Sequence, residues 1–298
     1  TLHALQQLAA YHRRQFTIPM IGITGSNGKT IVKERLYQLL SDHHAIVRSP
    51  KSYNSQVGVP LSVWQLQPQH TLAIFEAGIS QKGEMEKLQQ IIQPTLGILT
   101  NIGEAHADGF INQQEKLDEK SILFRHASAV ICSTEKLQAL SFSHQQIVSW
   151  GTNHNNRFVI NRIAKQSIET TIHFTSGTVN DSISIPFTDD ASIENAITCL
   201  CACICLQVPV NDVKEKFKQL RPVSLRLELK SGIHHTTIIN DSYSADLSSL
   251  IIALNMLQQQ RQHPTRTVIL SDFQLTADQE QTVYTSIAAL MQSHAVNR

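Results

Sequence analysis

The sequence predicts an α/β protein with a mostly parallel sheet and a small antiparallel addition. Between residues 18 and 132, short apolar runs alternate with segments whose apolar residues recur every three or four positions. This alternation is typical of βαβ units, in which helices cover both faces of a parallel sheet. Residues 157–187 contain three consecutive strand-like segments separated by polar or glycine-containing turns, and these predict the antiparallel addition.

Each predicted element rests on the period of its apolar residues. Leu2, Leu5 and Leu8 share one face of a helix, and the apolar run after this helix predicts a strand before a glycine-rich turn. Helical spacing predicts helices at 1–15, 30–40, 59–66, 84–92, 114–124, 191–206, 211–220, 247–260 and 277–292. Apolar or alternating runs predict strands at 18–24, 45–47, 72–76, 96–99 and 129–132, within 157–187, and at 226–230, 236–240 and 267–270.

The connection RPVS divides the sequence into two predicted domains, 1–221 and 222–298. The α/β pattern restarts after this connection. The second segment is short for an α/β domain, so we expect it to be a partial Rossmann-like domain. The first residue is Thr1 and not methionine, and we expect the chain to be a fragment.

The composition indicates a globular protein and argues against several classes of partner. Of 298 residues, 41% are apolar and 16% are charged, and the formal net charge is +1. This balance lacks the broad basic surface of proteins that bind nucleic acids or anionic membranes, so we expect no nucleic-acid partner. The longest nearly apolar run, 196–206, is shorter than the roughly 18 residues that span a bilayer, so we expect no membrane insertion.

Five cysteines show no disulfide-framework spacing, which favours a reducing, cytoplasmic setting. Four of them occupy alternate positions from 199 to 205, within a predicted helix. Helical geometry divides these four between two sides of the helix, and no nearby histidine or second cysteine pair completes a tetrahedral zinc site. We therefore expect small buried hydrophobic side chains.

The segment GITGSNGKT has the strand, turn and helix context of a phosphate-binding P-loop. Gly25 and Gly28 let backbone N–H groups surround phosphate oxygens, and the helix N-terminus adds partial positive charge. Lys29 adds a full charge, and Thr30 offers a hydroxyl to Mg²⁺. Because the strict P-loop pattern has glycine in place of Ile23, a tight turn with an incidental lysine is the alternative.

Further segments accompany the loop variant TGSNGKT along most of the chain. They are KSYNSQVGVPLSVWQL, IFEAGISQKGEMEKL, ILTNIGEAHADGF, the helix that contains Lys120, SLRLELKSG and IINDSYSADLSSL. In this order they resemble the Mur ligase family of ATP-dependent amide-forming enzymes. In that family ATP phosphorylates a carboxylate to an acyl phosphate, which an incoming amine attacks. The resemblance therefore implies an ATP-dependent ligase.

The segment NDSYSAD resembles that of family members that add D-Ala-D-Ala to UDP-MurNAc-tripeptide. This implies a bacterial enzyme of cytoplasmic peptidoglycan precursor synthesis, with those two molecules as substrates and with cell-shape and cell-division roles. The segment departs from the pattern of these members at Asn240, Ser244, Asp246 and Leu247. These departures leave open another Mur-type ligase, such as a diamino-acid-adding enzyme or a folylpolyglutamate synthase. A nucleotide-binding regulatory or structural remnant without catalysis is a further alternative.

The resemblance also implies a site for two Mg²⁺ ions. It assigns metal ligation to Thr30, Glu76, His106 and Lys120, and catalytic roles to Lys29, His106 and Lys120. Lys120 matches a lysine that family members carry as a carbamate formed with CO₂, which supplies an anionic oxygen ligand. The ordinary alternatives are a solvent-exposed strand-end carboxylate for Glu76 and a helix-surface lysine for Lys120.

The nucleotide site implied by the resemblance extends beyond the P-loop. It comprises Gly25, Ser26, Asn27, Gly28, Lys29, Thr30, Asn101, Asn195, Arg226 and Asp241. Asn195 resembles an adenine-contacting residue, although the histidine that often lies four residues earlier is here Ala191. Arg226 and Asp241 resemble residues that reach the nucleotide when the domains close. Asn54 and Asn101 are predicted to line the site, and each is equally typical of an ordinary turn.

A complete member of this subgroup begins with a domain that binds the UDP-sugar. The resemblance implies that this domain is absent from the sequence, that 1–221 is the ATP-binding central domain, and that 222–298 is a partial acceptor domain. We therefore expect this chain alone to bind nucleotide without ligase turnover. Some members are fused to a downstream alanine racemase, and the segment that begins NDSYSAD resembles that subgroup.

Overall fold

The structure, a computed structural model, describes residues 1–101, 110, 112–137, 146–243, 245–260, 262–273 and 277–298. The chain divides into two units, Thr1–Leu220 and Arg221–Arg298. The first contains a nine-stranded sheet and the second a two-stranded sheet. Both units combine helices with strands, which confirms the predicted α/β class.

The large sheet of the first unit is parallel over most of its width. Its strands are β1 (Met20–Thr24), β2 (Ile46–Arg48), β3 (Leu72–Glu76), β4 (Leu96–Leu99), β5 (Ala129–Ser133), β6 (Gln146–Gly151), β7 (Phe158–Lys165), β8 (Thr170–Ser176) and β9 (Val179–Ile185). Their order is β2-β3-β1-β4-β5-β6-β7-β8-β9. Neighbours from β2 to β7 pair in parallel, whereas β8 pairs antiparallel with both β7 and β9. The predicted antiparallel addition therefore extends the same sheet.

Helices pack on this sheet around two hydrophobic cores. They are α1 (Leu2–Arg13), α2 (Lys29–Leu40), α3 (Gly58–Val63), α4 (Glu84–Ile92), α5 (Gln113–Ser121), α6 (Thr134–Leu137), α7 (Asp190–Cys205) and α8 (Val210–Lys218). Ile21 and Ile23 of β1 belong to the core that contains residues of α2, α7 and α8. Met20 of the same strand belongs to the core that contains residues of α1, α3 and α4. Successive side chains of a strand point to opposite faces of the sheet, so Met20 faces one core while Ile21 and Ile23 face the other.

Two predictions in the first unit need correction. Strand β6 was not predicted from the sequence because Ser149 interrupts its apolar residues, and it pairs with both β5 and β7. The helix predicted at 114–124 ends at Ser121, and a 3₁₀ turn at Ile122–Phe124 follows it. Leu123 and Phe124 in this turn are fully buried, so their apolar character reflects core packing and not a longer helix.

The second unit contains β10 (Glu228–Ser231), β11 (Thr237–Asn240), α9 (Leu247–Gln259) and α10 (Ala277–Ser293). β10 and β11 pair antiparallel. The strand predicted at 267–270 is wrong, because these residues pair with no strand of the described chain. Instead, the N–H of Val268 donates to the carbonyl of Arg298, and Ile269 is exposed.

Three of the four clustered cysteines are buried as predicted, and Cys205 is half-buried. Cys199, Cys201 and Cys203 are fully buried, and burial raises the pKa of the Cys199 thiol to about 12. These side chains therefore pack as neutral hydrophobic groups. Within the described ranges, no helix has the length and apolar character needed to cross a membrane.

Candidate functional site

The carboxyl ends of three adjacent strands bring the predicted residues together. β3, β1 and β4 are parallel neighbours in the sheet. Glu76 is the last residue of β3, the glycine-rich loop follows Thr24 of β1, and Asn101 lies just beyond β4. Open parallel sheets place ligands at this edge. Residues far apart in the sequence therefore meet where a ligand site is expected.

Two glycines give the loop a conformation that larger residues rarely adopt. The φ angles are +147° at Gly25 and +85° at Gly28. A Cβ at Gly25 would lie 1.9 Å from Oγ1 of Thr100, and one at Gly28 would lie 2.7 Å from Oδ1 of Asn195. Gly28 is also the N-cap of α2, so the N–H groups of the first helical turn lie beside the loop. This is the geometry of an anion-binding P-loop.

Residues after β4 hold the loop in place. The N–H of Ser26 donates to the carbonyl of Asn101 at 2.7 Å, and the N–H of Asn27 donates to Oδ1 of Asn101 at 2.8 Å. Oγ1 of Thr100 donates to the carbonyl of Asn27 at 2.6 Å. Asn101 therefore shapes the loop directly. The hydroxyl of Ser26 is buried and has no hydrogen-bond partner among the described residues, which leaves it available to a ligand.

The ammonium group of Lys29 lies against the loop. Its Nζ donates to the carbonyls of Gly25 at 2.8 Å and Ser26 at 3.0 Å. An ammonium group binds phosphate as a compact point charge. The loop thus carries a full positive charge in addition to the helix N-terminus.

Thr30 and Glu76 form a pair of oxygen-bearing side chains beneath the loop. Oγ1 of Thr30 donates to Oε2 of Glu76 at 3.0 Å and lies 3.0 Å from Oγ of Ser52. Glu76 is fully buried, and its Oε1 lies 2.9 Å from Nζ of Lys33. A solvent-exposed strand-end carboxylate is therefore excluded for Glu76.

Lys120 is buried and directed at the same loop. Its Nζ donates to the carbonyl of Gly25 at 3.1 Å. Burial lowers the pKa of Lys120 well below its usual value, and the charges of Lys29 and Lys116 lower it further. A helix-surface lysine is thus excluded. The neighbouring Glu119 accepts the N–H groups of residues 83 and 85 at the start of α4, which anchors α5 there.

Two predicted asparagines also lie near this edge. Asn195 is buried in α7, with its Oδ1 close to the backbone of Gly28. The carbonyl of Asn54 accepts the N–H of Gly78 at 2.8 Å, two residues beyond Glu76. Asn54 and Asn195 therefore lie near the P-loop residues and Asn101.

Three predicted site residues are not among the described residues of the first unit. His106 lies outside the described residues. Arg226 and Asp241 belong to the second unit, where the guanidinium of Arg226 lies 3.9 Å from the ring centroid of Tyr243. Oδ1 of Asp241 accepts the N–H of Leu227 at 3.0 Å, and burial raises the pKa of Asp241. The nucleotide roles of these three residues stay predictions.

Comparison with known proteins decides the family. A model of the Mur ligase middle domain matches residues 23–203, which is more than half of the chain. The chain belongs to the Mur ligase family. The match extends from β1 into α7 and so includes the P-loop, Glu76, Lys120 and Asn195.

Relatives of this Mur ligase chain include two proteins named UDP-N-acetylmuramoyl-tripeptide--D-alanyl-D-alanine ligase. The one from Bacillus subtilis is 27% identical over all of this chain and 65% of its own length. The one from Borreliella burgdorferi is 29% identical over 90% of this chain and 59% of its own length. The chain thus spans about two thirds of the length of these relatives or less.

Solved structures of Mur ligases share the fold of this chain. A crystal structure of MurF from Acinetobacter baumannii has a TM-score of 0.82 and 25% identity, covering 98% of this chain and 65% of that one. MurF ligase from Thermotoga maritima in complex with ADP has a TM-score of 0.81 and 19% identity, covering 97% of this chain and 68% of that one. The second likeness shows the common fold alone.

Sequence reasoning missed several residues that support the Mur ligase site. Lys33, Ser52 and Thr100 all contact predicted site residues. One signal was present, because Lys33 follows Lys29 by one helical turn and so shares its side of α2. Its burial depends on residues 49–51 and on the end of β3, which local sequence does not reveal.

Proposed function

We propose that the whole protein is an ATP-dependent ligase that joins D-Ala-D-Ala to UDP-MurNAc-tripeptide in bacterial peptidoglycan precursor synthesis. The observation that carries this proposal is the meeting of the P-loop, the Thr30 and Glu76 pair and the buried Lys120 at one sheet edge. The names of the Bacillus and Borreliella relatives supply the two substrates. The reaction activates a carboxylate as an acyl phosphate, so the charge to be stabilised lies on phosphoryl oxygens.

The loop fits the phosphates of ATP. The glycines leave room for backbone N–H groups to surround phosphate oxygens, and the buried hydroxyl of Ser26 can donate to one of them. Lys29 would exchange its loop carbonyl contacts for phosphate oxygens, where positioning and electrostatic stabilisation carry phosphoryl transfer. Asn195 would contact adenine, and Arg226 and Asp241 would reach the nucleotide from the second unit.

The oxygen atoms of Thr30 and Glu76 fit Mg²⁺, which prefers hard oxygen ligands. Bound Mg²⁺ would supply positive charge to the phosphoryl group being transferred. The described residues contain no cluster of three or more His, Cys, Asp or Glu side chains that could hold a metal ion. From the resemblance to the Mur ligase family, we assign the remaining protein ligands of a two-ion site to His106 and a carbamylated Lys120.

The surroundings of Lys120 favour carbamylation. Burial and nearby positive charge lower its pKa, so its neutral amine is more accessible than that of an exposed lysine. The amine nitrogen would form a bond to the carbon of CO₂ and lose one proton, which leaves an anionic carbamate. Replacing a buried cation near Lys29 by an anion also removes like-charge repulsion.

We further propose that 1–221 is the ATP-binding domain and 222–298 a partial acceptor domain. A separate UDP-substrate domain elsewhere in the whole protein would then complete the enzyme, which acts in the cytoplasm. The low charge of the chain agrees with phosphate recognition at one loop, since the formal net charge is only +1.

Replacement of Lys29 tests whether the protein is an enzyme. In the whole protein, Lys29→Ala should lower ATP-dependent phosphate release by about 10²-fold or more, because a cation at the transferring phosphoryl group is lost. Lys87→Ala, which changes an exposed lysine on α4, is the matched control and should retain the wild-type rate. Equal rates in the two variants would support a nucleotide-binding remnant without catalysis.

A further inference from the structure

We propose that Lys33 is a positioning residue of the magnesium and nucleotide site, which holds the Glu76 carboxylate in place against Thr30. The inference rests on the proposed function, in which Glu76 and Thr30 ligate Mg²⁺. It gives a role to a buried charge that the P-loop motif does not include.

Lys33 is a fully buried lysine whose ammonium group is surrounded by oxygen atoms. Its Nζ lies 2.9 Å from Oε1 of Glu76 and 3.1 Å from Oε1 of Glu34. It also donates to the carbonyl of Ser49 at 2.7 Å and to the carbonyl of Lys51. A buried ammonium is costly unless it is paired and hydrogen-bonded, and these four oxygens meet that requirement.

The contacts of Lys33 leave the Glu76 carboxylate little freedom to rotate. Oε1 of Glu76 lies against Lys33, and Oε2 accepts the hydroxyl of Thr30 at 3.0 Å. The backbone beside it is also held, since the N–H of Glu76 donates to Oγ of Ser49 at 3.1 Å. The ion pair with Lys33 therefore favours the orientation in which Oε2 of Glu76 faces the P-loop threonine.

The same ammonium holds the segment that follows β2. Its bonds to the carbonyls of Ser49 and Lys51 connect α2 to this segment. The next residue, Ser52, places its hydroxyl 3.0 Å from Oγ1 of Thr30. The Lys33 side chain therefore contacts both the Glu76 carboxylate and the segment next to Ser52, and its proposed effect on the site is the one through Glu76.

Replacement of Lys33 should change the affinity for Mg²⁺ in opposite directions, depending on whether its charge or its contact with Glu76 matters more. A positive charge beside a cation site opposes the binding of Mg²⁺, so removal of that charge alone would strengthen binding. Partners that orient a metal ligand act in the other direction, because their loss typically costs 10- to 100-fold in metal affinity. The sign of the change in Mg²⁺ dependence therefore distinguishes the two effects.

The test is calorimetric binding of ADP to the whole protein, with excess Mg²⁺ and with a chelator. We define the magnesium gain as the affinity for ADP in excess Mg²⁺ divided by the affinity for ADP in chelator. Lys33→Met should reduce this gain by about 10- to 100-fold and leave ADP binding in chelator unchanged. An unchanged or larger gain in Lys33→Met would overturn the proposal. A wild-type protein that shows no magnesium gain would instead contradict the proposed function itself.

Arg35→Met is the matched control on the same helix. Arg35 is also buried, but its guanidinium bonds the carbonyl and hydroxyl of Ser192. This variant should keep the wild-type magnesium gain. A loss as large as that in Lys33→Met would show general damage to α2 and would overturn the proposal.

A double variant covers the case in which Lys33→Met fails to fold because it leaves the Glu76 carboxylate unpaired. The single variant Glu76→Gln is compared with the double variant that carries both Glu76→Gln and Lys33→Met. The double variant has no buried unpaired carboxylate at position 76. Since Lys33 acts through Glu76, the second substitution should cause no further loss of magnesium gain. A further loss of about tenfold would show that Lys33 acts independently of Glu76 and would overturn the proposal.

Discussion

At the scale of single residues, the candidate site contains several buried charges. Lys33, Glu76 and Lys120 are almost completely buried, although charged side chains are rarely buried without partners. Lys33 and Glu76 pair with each other, whereas Lys120 contacts the carbonyl of Gly25. Lys120 has no carboxylate partner in these contacts. Its proposed carbamylation would make it an anion.

Replacement of Lys120 tests its place in the site. Lys120→Ala in the whole protein should lower the rate of ligation by about 10²-fold, because an anionic ligand near the phosphoryl group is lost. High bicarbonate or a short carboxylate should restore part of the rate by occupying the vacated space. Lys87→Ala, which changes an exposed lysine on α4, is the control. Wild-type rates in Lys120→Ala would remove this residue from the site.

The carbamate itself should be visible by NMR in protein equilibrated with ¹³C-labelled bicarbonate. Only the neutral amine reacts with CO₂, and the lowered pKa of Lys120 keeps more of this form present near neutral pH. The carbamate signal should therefore decline as the pH falls through that lowered pKa, and it should be missing from Lys120→Ala. A signal of equal intensity in this variant would contradict the assignment.

At the scale of elements, the start of α7 connects its own cap to α2. The Asp189 carboxylate accepts the N–H of Ser192 at 2.7 Å, and Arg35 of α2 bonds the carbonyl of Ser192 at 2.7 Å. One turn later, Asn195 lies beside Gly28 of the P-loop. The cap therefore helps to fix the part of α7 that faces the loop.

Loss of this cap should have a measurable cost. Asp189→Ala should lower the free energy of unfolding by about 1 kcal/mol, because an N–H of the first helical turn loses its partner. Urea denaturation measures the change. Asp190→Ala is the adjacent control, since the ion pair that Asp190 makes with Lys165 is exposed and contributes little. Equal destabilisation by both variants would contradict the cap assignment.

The sequence predicted elements well where their own residues carry the signal. β1 and β3 are continuous apolar runs buried along their whole length, and the P-loop is a local motif. β6 was missed because its apolar residues are interrupted, and 267–270 was wrongly predicted because an apolar run does not ensure a strand partner. Lys33 was missed for a related reason, since its burial depends on distant segments.

At the scale of the whole molecule, the family is established and the reaction is a proposal. The family match covers residues 23–203, while the Bacillus relative is covered over 65% of its length. The described residues bring the groups proposed for phosphate and metal binding together at one edge of a sheet. Recognition of the UDP-sugar and of the incoming amine belongs to the proposal for the whole protein.

The most direct test of the central claim is mass spectrometry of the product made by the whole protein. With ATP, Mg²⁺, UDP-MurNAc-tripeptide and D-Ala-D-Ala, the proposed ligase should form a UDP-MurNAc-pentapeptide, and its formation should require every component. Free amino acids in place of the dipeptide should give no product. Product formed from a free amino acid while D-Ala-D-Ala is inert would contradict the account and indicate a different Mur-type ligase.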